Sequence, residues 1–358
     1  MGLAEELAQA RSALTMIHQS PYNAEAPPEA LSGDLTPTEM HYVRSNFAVP
    51  VHDGVLEVGG AVRSPLRLTL DDLRAMPAVE RAVTLECAGN GRLEVRPLPV
   101  GEPWGNYAVS TARWKGVLLH EVLALASPAA DAVEVLFRGA DSGAYHLASV
   151  LEETDQSNLA FERSLALDLA TDPTAEIILA YEMNGEPLRP DHGAPFRIVV
   201  PHWYAVASVK WLRQIEVLTE PFAGEFQTGH YVFEWPDRSP EPVTLMRPRA
   251  RVTDPAPSST IAAGTYTIRG KAWSGTGPIT SVELSFTGDS EWEAAVLEPP
   301  KGAYQWQDWT FAWDAGVGRH SVRARATDAA GNVQPDVPVW NRLGYGNNAI
   351  EVSYVDVR

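Results

Sequence analysis

One cysteine in 358 residues is the first scarcity of this chain. It excludes an intrachain disulfide framework and fits a reducing compartment. No apolar run reaches the length that spans a bilayer. The opening residues, "MGLAEELAQARSALTMIHQS", lack a basic start, an apolar core, a small-residue cleavage site and a twin arginine. A cytoplasmic location is therefore expected. Positive charge is scarce too: 28 Lys+Arg against 46 Asp+Glu leave a net charge of −18. Such a field repels nucleic acid and anionic membranes, so neither is an expected partner. Internal repeats, low-complexity tracts and glycine loops of the Walker or dinucleotide type are missing as well. An anion site in this chain must gather arginine, lysine and histidine against the global field.

What is present suffices for a globular fold. Hydrophobic residues make up 45% and charged residues 21%, enough to bury a core. The length fits two or three domains. Residues 4–17 suit a short exposed helix, and residues 20–50, rich in proline and polar side chains, read as an extended arm over a surface. Strands are expected over 54–62, 81–87 and 131–139, and helices over 69–76 and 116–126. Thr69 is the N-cap of the first helix, with Asp72 three residues on and Pro77 at its end. Residues 175–183 read as a strand that meets Asn184-Gly185, a hairpin turn, and 195–200 and 208–218 continue the pattern. Strands and helices mix without strict βαβ alternation, which gives an α+β class. Residues 237–259 read as a linker, and the short β-rich runs beyond them as an immunoglobulin-like sandwich without the cysteine pair. The expected division is 1–50 for helix and arm, 51–240 for a catalytic domain and 241–358 for the sandwich. Trp273, Trp292, Trp306, Trp309, Trp313 and Trp340 supply rings for cores and interfaces in this second half.

Three stretches hold candidate chemistry. "TLECAGNGR" (84–92) carries Cys87 out of a strand into a loop of small residues closed by Arg92. Read alone, Cys87 is an inert core thiol, a nucleophile in need of a base, or a soft thiolate ligand to a metal. Ala88 and Gly89 leave room beside the sulfur for a bulky group. "RPDHGAPFRIVVPHWYAVASVKW" (189–211) places His192 and Arg197 five apart across a Gly-Ala-Pro turn. A guanidinium inside an apolar strand calls for a bound partner, and a phosphate-bearing ligand suits it. "HYVRSNFAVP" (41–50) sets Arg44 between aromatics at the end of the arm.

With "AVSTARWKGV", "LAYEMNGEPLRPDHGAPFRIVVP", "SVKWL" and the C-terminal series "AWSG…VELS…W…ATDAAGNVQP…WN…GY…NN", these stretches resemble the sulfite oxidase family of molybdenum-cofactor enzymes, in family order from about Pro27 to the end. The resemblance implies an α+β cofactor domain followed by an immunoglobulin-like dimerisation domain. It implies a molybdenum-pterin cofactor without haem, oxidation of sulfite to sulfate, and molecular oxygen or a separate carrier as electron acceptor. A molybdenum reductase acting on nitrate or a sulfoxide is the related alternative, and a non-catalytic binding module the unrelated one. By resemblance Cys87 is the thiolate ligand to molybdenum. Tyr42, Val43, Arg44, Ser45, Asn46, Asp141, His192, Arg197, Ser208, Val209 and Lys210 fall where the family holds the pterin and its phosphate. Arg92 matches a substrate-anion arginine, with Arg44 sharing that task, and Trp104 and Tyr231 match active-site aromatics. Three positions depart from the pattern. Asn46 stands where the family carries a histidine, Gly91 where a basic residue is common, and Leu343 where a further arginine stands, with Arg342 beside it.

Overall fold

The computed structural model describes residues 11–144, 158–286 and 291–358. Residues 4–10 of the expected N-terminal helix lie outside them. The rest of that segment is not helical: β1 (Thr15–His18) pairs antiparallel with β2 (Asn23–Glu25). β-branched Thr15 and Ile17 favour extended backbone, and β2 is itself anchored where Ala24 bridges Val43. The arm does not lie over a surface either. Ala26, Ala30, Leu31, Tyr42 and Phe47 are buried in the main core. The polar residues between them serve the buried backbone: the Thr36 hydroxyl donates to Ala30 O at 3.2 Å and accepts from Thr111 N at 3.3 Å.

Next come β3 (Val55–Gly60), β4 (Leu66–Thr69) and α1 (Leu70–Ala75). Thr69 and Asp72 form the expected reciprocal capping box. After β5 (Val79–Glu86) and β6 (Val109–Leu118), α2 (Leu119–Ala126) starts three residues later than its helical spacing predicts. The ladder to a later strand keeps Gly116–Leu118 extended. β7 (Glu134–Gly143), β8 (Leu159–Ala166) and α3 (Leu167–Thr171) lead to the hairpin of β9 (Ile178–Met183) and β10 (Glu186–Pro187). Asn184 and Gly185 turn it with φ of 52° and 84°, the pair of left-handed residues that such a tight turn requires. β11 (Arg197–Val199) and β12 (Leu212–Leu218) complete two sheets. One has the order β10-β9-β6-β5 with β11 also on β9, and the other β4-β3-β12-β7-β8, in which β12 runs parallel to β3. This is the α+β class expected.

A small pair, β13 (Val232–Phe233) and β14 (Glu241–Pro242), precedes the sandwich. The stretch read as a linker already contains the sandwich's first strand, β15 (Arg249–Asp254). The others are β16 (Thr260–Ile261), β17 (Gly264–Trp273), β18 (Ile279–Ser285), β19 (Glu293–Ala294), β20 (Val296–Leu297), β21 (Gln307–Ala315), β22 (Gly318–Asp328) and β23 (Val352–Val357). They form sheets of order β15-β17-β21-β20 and β16-β23-β22-β18-β19. Ile268, Leu284, Trp309, Trp313 and Val322 fill the space between them. Trp273, Trp306, Leu343 and Tyr345 turn instead into the core of the first domain. The two halves therefore share a packed junction of large side chains.

That junction carries buried charge. The Arg249 guanidinium donates to Glu86 Oε1 at 3.2 Å, Glu351 Oε1 at 2.5 Å and Asn106 Oδ1 at 2.7 Å. Glu86 Oε2 accepts Trp273 Nε1–H at 2.9 Å, and Oε1 also accepts Asn90 Nδ2–H at 2.9 Å. Burial pushes the Glu86 carboxyl up, against the pull of Arg249, Asn90 and Trp273. Glu86 is the residue before Cys87, so the sandwich is tied directly to the cysteine loop.

Candidate active site

β5 ends at Glu86 and delivers Cys87 to the wall of a cavity between the two sheets of the first domain. The loop is fixed by its backbone: Cys87 N donates to Ala108 O at 2.8 Å and Asn90 N to Cys87 O at 2.9 Å. Burial pushes the Cys87 thiol up, while Arg44, the Gly89 N–H and Arg92 favour its thiolate.

The room left by Gly89 is also needed by Arg92. A Cβ there would lie 2.7 Å from Arg92 Nη1 and 2.9 Å from its Cζ, and a Cβ at Gly101 would lie 2.9 Å from Cζ. The two glycines thus sandwich the Arg92 guanidinium, which by itself excludes a side chain at Gly89. Gly91 takes φ 78°, and a Cβ there would press on Asn347 Nδ2 at 2.9 Å and Asn106 Oδ1 at 3.0 Å. This turn has no room for the basic side chain common in the family.

Opposite the thiol the cavity is cationic. Arg197, at the start of β11, donates to His192 O at 3.2 Å and Ser208 O at 2.8 Å and lies 5.0 Å from the Trp114 ring centroid. Lys210 Nζ donates to Ser45 Oγ at 2.9 Å and Asp191 O at 2.8 Å. Neither forms an ion pair among the described residues, so both charges remain available to an anion. Burial lowers Arg197 to about 10. Burial, aided by Arg197, lowers Lys210 to about 7, and burial raises Asp141 to about 7 despite Lys210. His41 and His192 pack edge-on at 5.1 Å. Burial holds His41 down at about 3 and His192 well below the usual histidine range, so both are neutral hydrogen-bonding groups. His41 Nε2 and Asp141 Oδ1 are buried without a hydrogen-bond partner.

On the flank of Cys87, Tyr231 and the arm make a cluster of donors. Arg44 Nη2 donates to Asn46 Oδ1 at 2.5 Å and to the Tyr231 hydroxyl at 3.3 Å, and Nη1 donates to Asn23 Oδ1 at 3.3 Å and to Ser45 O. Asn46 Nδ2 lies 3.2 Å from the same hydroxyl, so Asn46 joins Arg44 to Tyr231. Tyr231, at φ 57°, stacks on Tyr345 at 5.1 Å, and the Arg92 guanidinium sits 5.0 Å from that second ring.

Tyr42, Arg44, Ser45, Asn46, Cys87, Asp141, His192, Arg197, Ser208, Lys210 and Tyr231 therefore converge on one cavity. Four of the residues expected there do not line it. Val43 and Val209 are buried and contribute backbone, Val43 to Ala24 and Val209 as acceptor from Ile198 N. Trp104 is buried in the main core. Arg92 stands behind the cysteine loop, donating to Leu343 O at 3.0 Å and Glu102 O at 2.7 Å. Leu343 is buried, and Arg342 turns away to pair with Glu234. The reading by residues overlooked His41, Asp191 and Trp211, which also line the cavity. The neighbouring Tyr42 and His192 were a signal for the first two. The orphaned nitrogen of His41 arises from burial and has none in the sequence.

Among the described residues no three histidine, cysteine or acidic side chains converge to hold a metal ion. A metal beside Cys87 needs further ligands from a carrier molecule. The cavity fits a large, anionic, hydrogen-bonding one: a single thiol on one wall, Lys210 and Arg197 on another, and orphaned donor and acceptor atoms between them.

Comparison with known proteins agrees with this donor set. Residues 46–226 match the oxidoreductase molybdopterin binding domain, and residues 243–354 the Mo-co oxidoreductase dimerisation domain. The chain is 36% identical over 364 residues to mitochondrial sulfite oxidase of Homo sapiens, covering 94% of this chain and 64% of that protein. To sulfite oxidase of Gallus gallus it is 34% identical, covering 91% of this chain and 74% of that one. A nitrate reductase [NADH] of Hordeum vulgare is 33% identical, with 94% and 40% covered. The solved structure of the sulfane dehydrogenase SoxCD from Paracoccus pantotrophus superposes with a TM-score of 0.83 at 26% identity, over 98% of this chain and 90% of that one. The chain thus spans somewhat less than two thirds of the human relative's length. A lone cysteine facing buried cations, on a fold shared along almost the whole chain with these enzymes, makes this protein a member of the sulfite oxidase family of molybdopterin-binding oxidoreductases.

Proposed function

We propose that the chain oxidises sulfite to sulfate at a molybdenum-pterin centre in this cavity, with Cys87 as the protein's ligand to the metal. Residues 51–240 form the catalytic domain and 241–358 the dimerisation domain of a homodimer. When bound, the cofactor supplies a metal that exchanges an oxygen atom and two electrons with the substrate. The lining of one cavity by Cys87, Lys210 and Arg197 carries the reading.

The chain's own residues supply binding and orientation. Cys87 offers a soft thiolate, suited to a metal that changes oxidation state. Lys210, Arg197, Ser45, Ser208 and the neutral His41 and His192 offer charge and hydrogen bonds to a phosphorylated pterin. Arg44, Asn46 and Tyr231 present donors for the oxygens of a small oxyanion beside the sulfur. The net reaction takes sulfite and water to sulfate, two protons and two electrons, and the electrons leave to molecular oxygen or a separate carrier. Side-by-side assays of sulfite oxidation and nitrate reduction test the substrate. Turnover of sulfite supports the proposal, and turnover of nitrate alone overturns it in favour of the activity named for the Hordeum vulgare relative.

Arg92 stands behind the cysteine loop, where its charge acts across the loop without touching the cavity. Nε and Nη1 donate to carbonyls, and among the described residues Nη2 has no hydrogen-bond partner. Arg92→Gln will raise KM for sulfite by about a few-fold with a smaller change in kcat, the loss of a positive charge that acts across the loop rather than by contact. Steady-state kinetics check this, and an unchanged KM contradicts it.

The cavity's titration gives a pH dependence with a definite sign. Lys210 is lowered to about 7 and Asp141 raised to about 7, so alkaline solution removes a positive charge and adds a negative one. An anion then binds more weakly as pH rises through neutrality and takes up protons on binding. Calorimetric titration of the cofactor-free protein with sulfate, a dianion throughout this range, will show affinity falling from about pH 6 to 8. Affinity that rises over that interval contradicts the assignment.

A further inference from the structure

Asp191 sets a carboxylate against the cavity's cations. It is buried at 5% exposure, lines the cavity and offers its backbone oxygen to Lys210 at 2.8 Å. An anionic ligand in this cavity meets a repulsive charge there unless another group cancels it. The cancelling group comes from 180 residues away. Arg11 Nε donates to Asp191 Oδ2 at 2.9 Å and Nη2 to Oδ1 at 2.8 Å, a two-pronged pair. The Arg11 guanidinium also lies 3.9 Å from the Tyr22 ring centroid, which fixes its approach. Tyr22 lies in the turn of the β1–β2 hairpin, whose Asn23 Oδ1 accepts from Ser45 N at 2.7 Å and from Arg44 at 3.3 Å.

We propose that the N-terminal hairpin is part of the cofactor site: Arg11 neutralises Asp191, and the hairpin holds the Arg44–Ser45 segment, so that an anionic phosphorylated pterin is retained. This rests on the reading of the cavity given above. Without Arg11 the carboxylate faces Lys210 directly and competes with the ligand for it, and cofactor affinity falls. With both Arg11 and Asp191 made neutral, the repulsive charge is gone and retention returns. A hairpin that matters only for folding shows no such return.

The experiment measures the rate at which cofactor leaves the loaded protein, by pterin fluorescence and molybdenum content of the filtrate after dilution, with far-ultraviolet circular dichroism recorded on each variant. Arg11→Ala will release cofactor about tenfold faster or more, the scale of one charge-assisted pair. The Arg11→Ala/Asp191→Asn double variant will return to within a few-fold of the parent. Release from Arg11→Ala at the parental rate overturns the proposal. A double variant as leaky as the single one overturns the neutralising role. Parental protein that carries neither pterin nor molybdenum refutes the cavity reading itself, and is told apart by its metal content before any variant is made.

Discussion

Cys87→Ser protein will fold and will turn over no sulfite. The loop that carries Cys87 is held by groups that serine keeps: its backbone N–H on Ala108, its carbonyl on Asn90, and the Glu86 network behind it. Serine is nearly isosteric, so the packing around this buried position survives. The lost property is the soft, ionisable sulfur. A buried serine hydroxyl keeps its proton and makes a poor ligand to a metal that cycles between oxidation states. The loss in kcat will exceed the roughly 10–100-fold cost of removing a partner in a metal's outer shell. Circular dichroism and the unfolding midpoint will match the parent. A serine variant that oxidises sulfite at the parental rate refutes the ligand assignment, because no other cysteine exists to replace it.

Arg249→Met will destabilise the protein by about 3–5 kcal/mol, since it leaves Glu86 charged, buried and without its cation. Urea unfolding measures this as a lower midpoint. Adding Glu86→Gln will recover part of the loss, because a neutral amide leaves no stranded charge and keeps one acceptor oxygen for Asn90 or Trp273, the other N–H losing its partner. Sulfite turnover will fall in the single variant as well. Glu86 holds Asn90, Asn90 Oδ1 accepts from Ala108 N at 3.1 Å, and Asn347 of the C-terminal region donates to Gly91 O at 2.8 Å. The sandwich thus holds the cysteine loop on both sides of the thiol. Unchanged stability in Arg249→Met contradicts this account of the junction.

Local chemistry was readable from residues, and tertiary chemistry was not. The Asn184-Gly185 turn and the Thr69–Asp72 cap follow from backbone requirements of a few neighbouring residues. The burden of Arg197 was readable because a guanidinium in an apolar strand needs a partner. The N-terminal strand was missed because β1 is fixed by its pairing with β2, and β2 in turn by Val43. The late start of α2 was missed because β6 extends to meet β9. That Gly89 also makes space for the Arg92 guanidinium has no signal in the sequence, because the contact is set by the fold of the loop. Asn46 looked like a lost histidine contact and is the residue that joins Arg44 to Tyr231. Arg11 and Asp191, 180 residues apart, leave no trace in spacing.

The most direct test is the absorption of the molybdenum-loaded protein during addition of sulfite. A thiolate-to-metal band will bleach as sulfite reduces the centre, and it will be missing from Cys87→Ala protein. A band that sulfite leaves unchanged, or one that persists without Cys87, contradicts the proposed function.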